Sequence, residues 1–517
     1  MKTFKEKIIE HYHLTNEEVK ELTKPLSEVS LLDPTKINGM DKTTSRIFKA
    51  INNKEKIIIY GDYDCDGISA TTIMVKTFEK LNYPVSYYIP SRYLDGYGLN
   101  VVNVEKIAKK GYKLIICVDN GISANEAIDK ANEYGIDVIV IDHHEVPKEM
   151  VNAYSIIHPT VSHISDIIGS GGYMSLFVSA ALLNKYDDYL VTIAGLSTIS
   201  DLMELKGYNR DVVRLAIDNL NKHHYLALSL LLDTHIITEK SFGLEIAPKI
   251  NAIGRINEDT SVNKVVKYLI SGDEHEIYAL SEWILKINDI RKDLTKEIAD
   301  SLPAIENEYG ICVNLEIKEG LIGLLANRLM GQYKVPSIVF TSDKKDPDIL
   351  KGSIRSKEGF NVVKAFESLN KYLLSGGGHA FAGGLSINKM EFDNFKLDFL
   401  ELAKAHRFVE ENIEAIEISL IDINITNYKT LREFAPFGMG FNEPSFIVNN
   451  IPTKNLTFIS NGKHLSTKLS LNSKLLGFNM PQEEIKSNSS INLYGQFYLS
   501  EYKGFETLDF RINKYAI

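Results

Sequence analysis

From residue 54 onward, apolar and polar positions fall into alternating blocks. Short runs rich in β-branched residues, IIIY (57–60), VSYYI, KLIICVD and DVIVIDHH, are separated by the amphipathic stretches ATTIMVKTFEKL, VVNVEKIAKKG and SANEAIDKANEYG. Runs that are apolar throughout predict strands buried on both faces, and so a parallel sheet covered by helices on either side. The pattern then turns helical through SGGYMSLFVSAALLNKY and LVTIAGLSTISDLMEL, and APKINAIGR reads as a loop presenting Arg255. Between 273 and 302 apolar residues recur at helical spacing (Ile277, Leu280, Ile284, Ile287, Leu294, Ile298), which predicts one long helix. A second alternating region follows: ICVNLEI, LIGLLANRLMGQY, SIVFT and LKGSIRS, ending in the glycine-rich turn SGGGHAFAGG (375–384). After about Phe408, short runs such as SFIVNN, STKLSL and INLYGQFYLS alternate with period two, the pattern of a small β-barrel. The expected architecture is α/β. A helical segment (1–53) precedes a parallel-sheet domain (54–272), a connecting helix (273–302) leads to a second α/β domain (303–407), and a β-rich barrel (408–517) closes the chain.

Composition narrows the class. A length of 517 residues accommodates several domains, and a net charge of −10 argues against a surface coated with basic residues, though not against a local basic groove. Three cysteines without a C-x-x-C spacing exclude a disulfide framework and a zinc–thiolate site. Cys65 and Cys117 read as small buried residues in a reducing compartment, with Cys65 as a ligand the alternative. The charged start and the lack of a long apolar run predict a cytoplasmic protein with no membrane span.

The acids stand where the strands end. Asp62, Asp64 and Asp66 follow the first run, Asp119 the third and Asp142-His143-His144 the fourth, while Asp201 lies alone among apolar neighbours. A lone D-x-D is weak and fits a solvated turn. In parallel sheets, however, ligands bind beyond the carboxyl ends of the strands, and this placement gathers the acids on one edge. Asp64, Asp66, Asp119, His143 and Asp201 suffice for two divalent ions sharing a carboxylate, with Mn2+ or Mg2+ matching oxygen and imidazole donors. The natural substrate of such a pair is a phosphate ester or anhydride, and His144 is free to contact it. The second pair, His223-His224, follows neither a strand nor an acid and is left aside. Tyr494, Phe497, Tyr498, Tyr502 and Phe505 offer stacking surfaces for bases, with ordinary core packing as the alternative.

The motifs YGDYDCDG, VDNG and IDHH, with the Asp201 segment, resemble the DHH phosphoesterase superfamily. The ordered set SRYLDGYGLN, APKINAIGR, EGLIGLLANRL, GSIRS, GGGHAFAGGLS and FAPFGMGFNEPSF resembles its RecJ family of single-stranded-DNA-specific exonucleases. The resemblance implies a DHH domain, a DHH-associated second α/β domain and an OB-like barrel. It implies metal ligands at Asp64, Asp66, Asp119 (bridging), His143 and Asp201, substrate contact by His144, and a supporting place for Asp62. Arg92, Ser353 and Arg355 would hold the 5′-phosphate, with Arg255 and His379 along the DNA path. The implied activity is 5′→3′ release of mononucleotides in DNA repair and recombination. The implied enzyme is a monomer on single-stranded DNA, fed by a helicase or a single-strand-binding protein. A phosphoesterase acting on short oligonucleotides or cyclic dinucleotides, and an inactive DNA-binding scaffold, are the alternatives. Two positions depart from the pattern. Tyr60 stands where many relatives carry a histidine ligand, which predicts one looser ion, and Ile317-Lys318 replaces an expected Trp-His.

Overall fold

The computed structural model describes residues 2–517 apart from 97, 165–167, 257–261, 303–308, 407, 409–413 and 503. The boundaries drawn at 303 and 407 and the ring of Tyr502 lie outside the described residues. The first sheet comprises β1 (Lys56–Tyr60), β2 (Ser86–Tyr88), β3 (Tyr112–Val118), β4 (Asp137–Ile141) and β5 (Ser155–Ile157), all parallel, in the order β2-β1-β3-β4-β5. After β1 the chain builds outward to β2, then crosses back to β3. The order therefore reverses between β1 and β3, and that reversal opens a crevice at their carboxyl ends. Ile57, Ile59, Leu114, Ile116, Ile139 and Ile141 face one core; Ile58, Tyr60, Ile115, Cys117, Val138 and Val140 face another. Burial on both sides is what made these strands read as unbroken apolar runs.

The larger core is filled by the helices Cys65–Lys80, Gly171–Leu183 and Asp188–Ser200. Leu176, Phe177, Ile193 and Leu196 are fully buried there. Each contributes about 1.5–3 kcal/mol, which helps offset the cost of the acids held beside them.

Two local expectations are corrected. APKINAIGR is not a loop: Ala247–Ile256 is a helix, entered from a π-helical turn at Ser241–Ile246. Pro248 lies inside one helical run from residue 239, just past the π-helical turn, where the i→i−4 pattern is already interrupted. The glycine-rich segment is not a turn but an extended hairpin at the edge of the second sheet, which runs β6 (Ile311–Asn314), β7 (Ser337–Ser342), β8 (Ile349–Arg355), β10 (Ala382–Asn388), β9 (Leu373–His379). Gly378 faces Gly383 across that hairpin, and a Cβ on Gly378 would lie 2.3 Å from the Ala382 carbonyl oxygen. The helical N-terminal segment packs on two domains. Phe4 and Ile8 of the helix Phe4–His11 join the core of the C-terminal domain, whereas Met40, Ile47 and Ala50 join that of the first domain.

The helix Glu274–Ser301 leads to the second α/β domain. The C-terminal domain is a seven-stranded sheet of β11 (Ala415–Glu417), β12 (Ser445–Pro452), β13 (Phe458–Ile459), β14 (His464–Lys468), β15 (Ser473–Gly477), β16 (Ser490–Tyr502) and β17 (Phe505–Ala516), ordered β11-β12-β16-β17-β15-β14-β13. Phe497 is buried in its core, stacked 4.7 Å from Phe446, so it presents no face to a ligand. Tyr494 and Tyr498 alternate with it on the outer face, and Arg511 lies 4.1 Å from the Tyr498 ring. No described helix is long and apolar enough to cross a membrane.

Candidate metal centre

Each acid at the crevice is held by a specific local device. Asp64 caps the helix Cys65–Lys80, one carboxylate oxygen accepting from the N–H groups of Asp66 (2.9 Å) and Gly67 (3.1 Å). Asp66 turns into the first domain and meets the N-terminus of the helix Gly171–Leu183. Its oxygens accept from Gly171 N–H (2.7 Å), Gly172 N–H (2.8 Å) and the Ser197 hydroxyl. The exposed amides and the helix dipole favour negative charge there. Asp119 leaves β3 in the left-handed region (φ 60°), which swings its carboxylate out of the strand direction and over the crevice. Asp142 does not enter the cluster but organises it, accepting from the N–H groups of Ile122 (3.0 Å), His143 (2.8 Å) and His144 (3.3 Å) and from His144 Nδ1 (2.7 Å). His158 supports the same loop. Its Nδ1 accepts from Thr160 N–H, so its Nε2 carries the proton and donates to the His144 carbonyl at 2.7 Å.

The result is a tight set of donors. His143 Nε2 lies 3.2 Å from Asp119 Oδ1, 3.4 Å from Asp66 Oδ2 and 3.5 Å from Asp201 Oδ2. Donors on adjacent corners of an octahedral ion with bonds near 2.1 Å are about 3 Å apart, so this spacing fits a shared cation. Asp62, Asp64 and Asp119 form a second group whose oxygens lie within 4.8 Å of one another, and Asp119 also groups with His143 and His144. Asp62 thus joins the cluster directly, where the sequence reading gave it a supporting place. Its Oδ1 is buried with no hydrogen-bond partner among the described residues, as a ligand atom awaiting a cation would be. Tyr60 points to the opposite face of the sheet. Its hydroxyl donates to the Gly98 carbonyl (3.2 Å) and accepts from Asn103 (2.9 Å), well occupied away from the acids. Cys65 is buried, with burial pushing its thiol up to about 12, and belongs to none of the donor groups.

Electrostatics point the same way. Burial, reinforced by neighbouring acids, raises the carboxyls of Asp62, Asp64 and Asp119, and raises that of Asp201 to about 8. Burial holds the His143 imidazole below its usual value, hence neutral and able to ligate. Burial also works against charge on His144, but the Asp142 hydrogen bond and the surrounding acids overcome it and raise this imidazole to about 9. A divalent ion is the counter-charge this donor set lacks.

Glycines make room for the arrangement. A Cβ on Gly171 would sit 2.5 Å from the Asp119 Cβ, and one on Gly172 would sit 2.4 Å from Ser197 Oγ. Gly171→Ala is therefore expected to displace Asp119 and weaken Mn2+ binding by about tenfold or more, from a loss of one or two kcal/mol of ligand geometry. Calorimetric titration checks this, with an unchanged far-ultraviolet dichroism spectrum showing that the fold is kept.

Arg92, Arg255, Ser353 and Arg355 come together, with Lys351, around a cleft of about 300 Å³ between the two α/β domains. Gly323 keeps it open: a Cβ there would lie 2.9 Å from Arg355 Nη2 and 3.1 Å from Ser353 Oγ. Burial, then the nearby Arg92, lowers the Arg255 guanidinium to about 10. The cleft meets the acid cluster at Tyr63, which lies between Asp62 and Asp64 in the chain and whose ring packs 4.4 Å from the Arg92 guanidinium. His379 is not brought in. It lies exposed at the turn of the β9–β10 hairpin, outside the cleft lining. Sequence reasoning missed Gly171, Gly172, Ser197, His158 and Gly323, and named Asp142 only as part of the Asp142-His143-His144 group. The only signal for the glycines was their place at the start of an apolar helix.

Residues 56–200 match the DHH family N-terminal domain, 307–405 the DHHA1 domain and 415–514 the RecJ OB domain. The chain is 30% identical over 500 residues to the single-stranded-DNA-specific exonuclease RecJ of Bacillus subtilis, aligning 92% of its own length but 63% of that protein's. It shares its fold with the crystal structure of RecJ in complex with Mn2+ from Thermus thermophilus (TM-score 0.83, 22% identity, 99% of this chain and 76% of the other). A crystal structure of exonuclease RecJ bound to manganese matches at TM-score 0.60 and 25% identity, covering 71% of this chain and 95% of that one.

Proposed function

The chain belongs to the RecJ branch of the DHH family, carrying a DHH, a DHHA1 and a RecJ OB domain in that order, and from this premise we propose that it is a metal-dependent 5′→3′ exonuclease for single-stranded DNA. The observation that carries the reading is the meeting of two sites at Tyr63: a buried acid cluster fit for divalent ions, and an arginine-lined cleft fit for a phosphate.

In this reading Asp66, His143 and Asp201 would hold one Mn2+ or Mg2+ ion and Asp62 and Asp64 the other, with Asp119 within reach of both groups. Such a pair supplies a nucleophilic water at neutral pH and charge stabilisation for an in-line displacement at phosphorus. The chain's own residues do the rest. Arg92, Arg255, Arg355 and Ser353 grip the terminal 5′-phosphate through charge-assisted bonds. That grip sets the first phosphodiester over the acid cluster, so one nucleotide leaves per turnover. Charged His144, anchored by Asp142, donates to a non-bridging oxygen of the scissile phosphate and balances its developing charge. The narrow cleft admits a single strand and not a duplex. Tyr494 and Arg511 on the outer face of the C-terminal domain hold the strand beyond it by stacking and backbone charge, so binding weakens with salt. The enzyme acts as a cytoplasmic monomer on strands exposed by a helicase or held by a single-strand-binding protein.

Degradation of labelled DNA with Mn2+ tests the proposal: 5′-phosphorylated and 5′-hydroxyl single strands, duplex, a dinucleotide and a cyclic dinucleotide. Processive loss of the phosphorylated single strand is expected. Cleavage of duplex at the same rate, or of the dinucleotides alone, would sink it. Arg355→Ala removes charge-assisted bonds of about 1.5–3 kcal/mol, so the preference for a 5′-phosphate over a 5′-hydroxyl should fall about 10–100-fold while Mn2+ binding stays unchanged.

A further inference from the structure

The segment after Asp201 is held from outside its own domain. The helix Asp188–Ser200 ends at Asp201, whose N–H donates to Ser197 O (3.0 Å); Leu202 follows in the left-handed region, and Met203 N–H returns to Thr198 O (3.1 Å). Leu205 then donates its N–H to the Met439 carbonyl of the C-terminal domain at 2.9 Å. The fit around that bond leaves no slack. A Cβ on Gly438 would sit 2.8 Å from Leu205 Cδ1, and Gly440 (φ 75°) packs its α-carbon against Glu204. Arg210, buried in the first domain, reaches across to fix the same loop, donating to the carbonyls of Pro436 (2.8 Å), Phe434 (2.6 Å) and Ala435 (2.7 Å). Five donors in a rigid fork suit three converging carbonyls, and lysine would not reproduce them.

A second hold lies beside the first. Arg432 meets buried Glu239 through two parallel bonds (2.7 and 2.6 Å), and Lys240 pairs with Glu443 while lying 4.2 Å from the Tyr498 ring. Glu239 and Lys240 lead directly into the π-helical turn and then the helix Ala247–Ile256. That helix carries Asn251, which accepts from Cys65 N–H at 2.8 Å inside the first acidic motif, and Arg255 of the phosphate cleft. Both arms gripped by the C-terminal domain therefore end in the metal centre or the cleft.

We propose that the C-terminal domain is a positioning element for the metal centre: residues 434–441 and Arg432 hold the 201–205 segment and the 239–256 arm in place, so that docking of this domain and binding of metal strengthen each other. The inference rests on the metal reading above. It assigns no new ligand and makes Arg210, Gly438 and Leu205 positioning residues. The short backbone from Leu205, bonded to Met439, back through Met203, bonded to Thr198, to Asp201 carries the coupling, and coupling is reciprocal: whatever the docked loop does for the ion, the ion does for the loop.

Hydrogen exchange on the full chain with and without Mn2+, in the absence of DNA, reads that reciprocity without any substitution. Mn2+ is expected to slow exchange in 201–205 and in 434–441 together. Gly438→Val, which drives a branched side chain into Leu205, should weaken Mn2+ binding about tenfold by calorimetry, within the usual span of such couplings. Leu471→Ser, on the exposed surface of the same domain, should bind Mn2+ as the parent does. Protection confined to 201–205, or parental Mn2+ affinity in a folded Gly438→Val protein, overturns the inference. If Gly438→Val does not fold, the exchange result decides alone. Absence of Mn2+ binding by the parent overturns the metal reading instead.

Discussion

Asp119→Asn is expected to lower Mn2+-dependent cleavage of single-stranded DNA by at least about a thousandfold, because a ligand shared by two ions stabilises several kcal/mol of transition-state charge. The same change should make the metal-free protein more stable. Asp119 is buried among Asp62, Asp64, Asp66 and Asp142, and burial followed by their repulsion raises its carboxyl well above the usual range. Asparagine keeps the volume that Gly171 accommodates and tolerates the left-handed backbone, while removing the charge. Melting of the metal-free protein should rise by about 2–4 °C for each kcal/mol gained in a domain of this size. Alanine would mix these effects with a cavity. Parental cleavage rates in the asparagine variant would show that Asp119 is no ligand. Lost activity with lower metal-free stability would show that its role is structural.

The stabilisation given by Mn2+ should grow as pH rises. Asp201 titrates near 8 in the folded chain against about 3.9 for a free aspartate, so between these values the folded state holds a proton that the unfolded chain has released. Stability without metal therefore falls as pH rises through that window. His144, raised to about 9, has the same sign: its contribution is complete below its ordinary value near 6.5 and is lost as pH approaches 9. Asp62, Asp64 and Asp119, all raised, add to the decline. His143, lowered by burial, opposes it around and below pH 6.5 and is outnumbered. Mn2+ displaces the retained protons, so it binds more weakly in acid. At a hundredfold excess over its dissociation constant it adds about 2.7 kcal/mol. Thermal unfolding with and without Mn2+ from pH 5.5 to 8.5 should show a gap that widens with pH. A gap that stays constant with pH would mean the acids are already ionised in the metal-free protein.

How much of this was legible in the chain depends on what each signal encodes. The strands β1, β3 and β4 announced themselves because burial on both faces leaves an unbroken apolar run, and the acids after them followed from where parallel sheets bind ligands. Asp62 lies beyond the end of β1 at Tyr60, where strand alternation no longer fixes direction, so its place beside Asp64 and Asp119 is a matter of loop geometry. The β9–β10 hairpin was read as a turn because glycine carries no side-chain period, although Gly377 and Gly378 pair across to Gly384 and Gly383 in regular register. The helix bearing Arg255 was hidden by Pro248 and Gly254. The first sits just past a π-helical turn inside the run, and the second lets the helix approach Tyr63, whose carbonyl oxygen a Cβ would meet at 2.9 Å. His158 and Ser197 act through bonds formed only after distant segments meet, and no local pattern marks them.

The split of the N-terminal segment has a consequence for how the chain is made. Phe4 stacks on Phe446 and Phe497, and Ile8 is wholly buried against the same domain. During synthesis at about 5–20 residues per second, this helix emerges roughly 440 residues and tens of seconds before Phe446 exists. Through that interval its apolar face has no home, while the first domain, whose core extends to Ile277 and Ile284, is free to fold. The C-terminal sheet is thus sealed by a helix made roughly 440 residues before its partner Phe446. A holding factor that covers Phe4 and Ile8 during translation would set the moment at which the C-terminal domain closes.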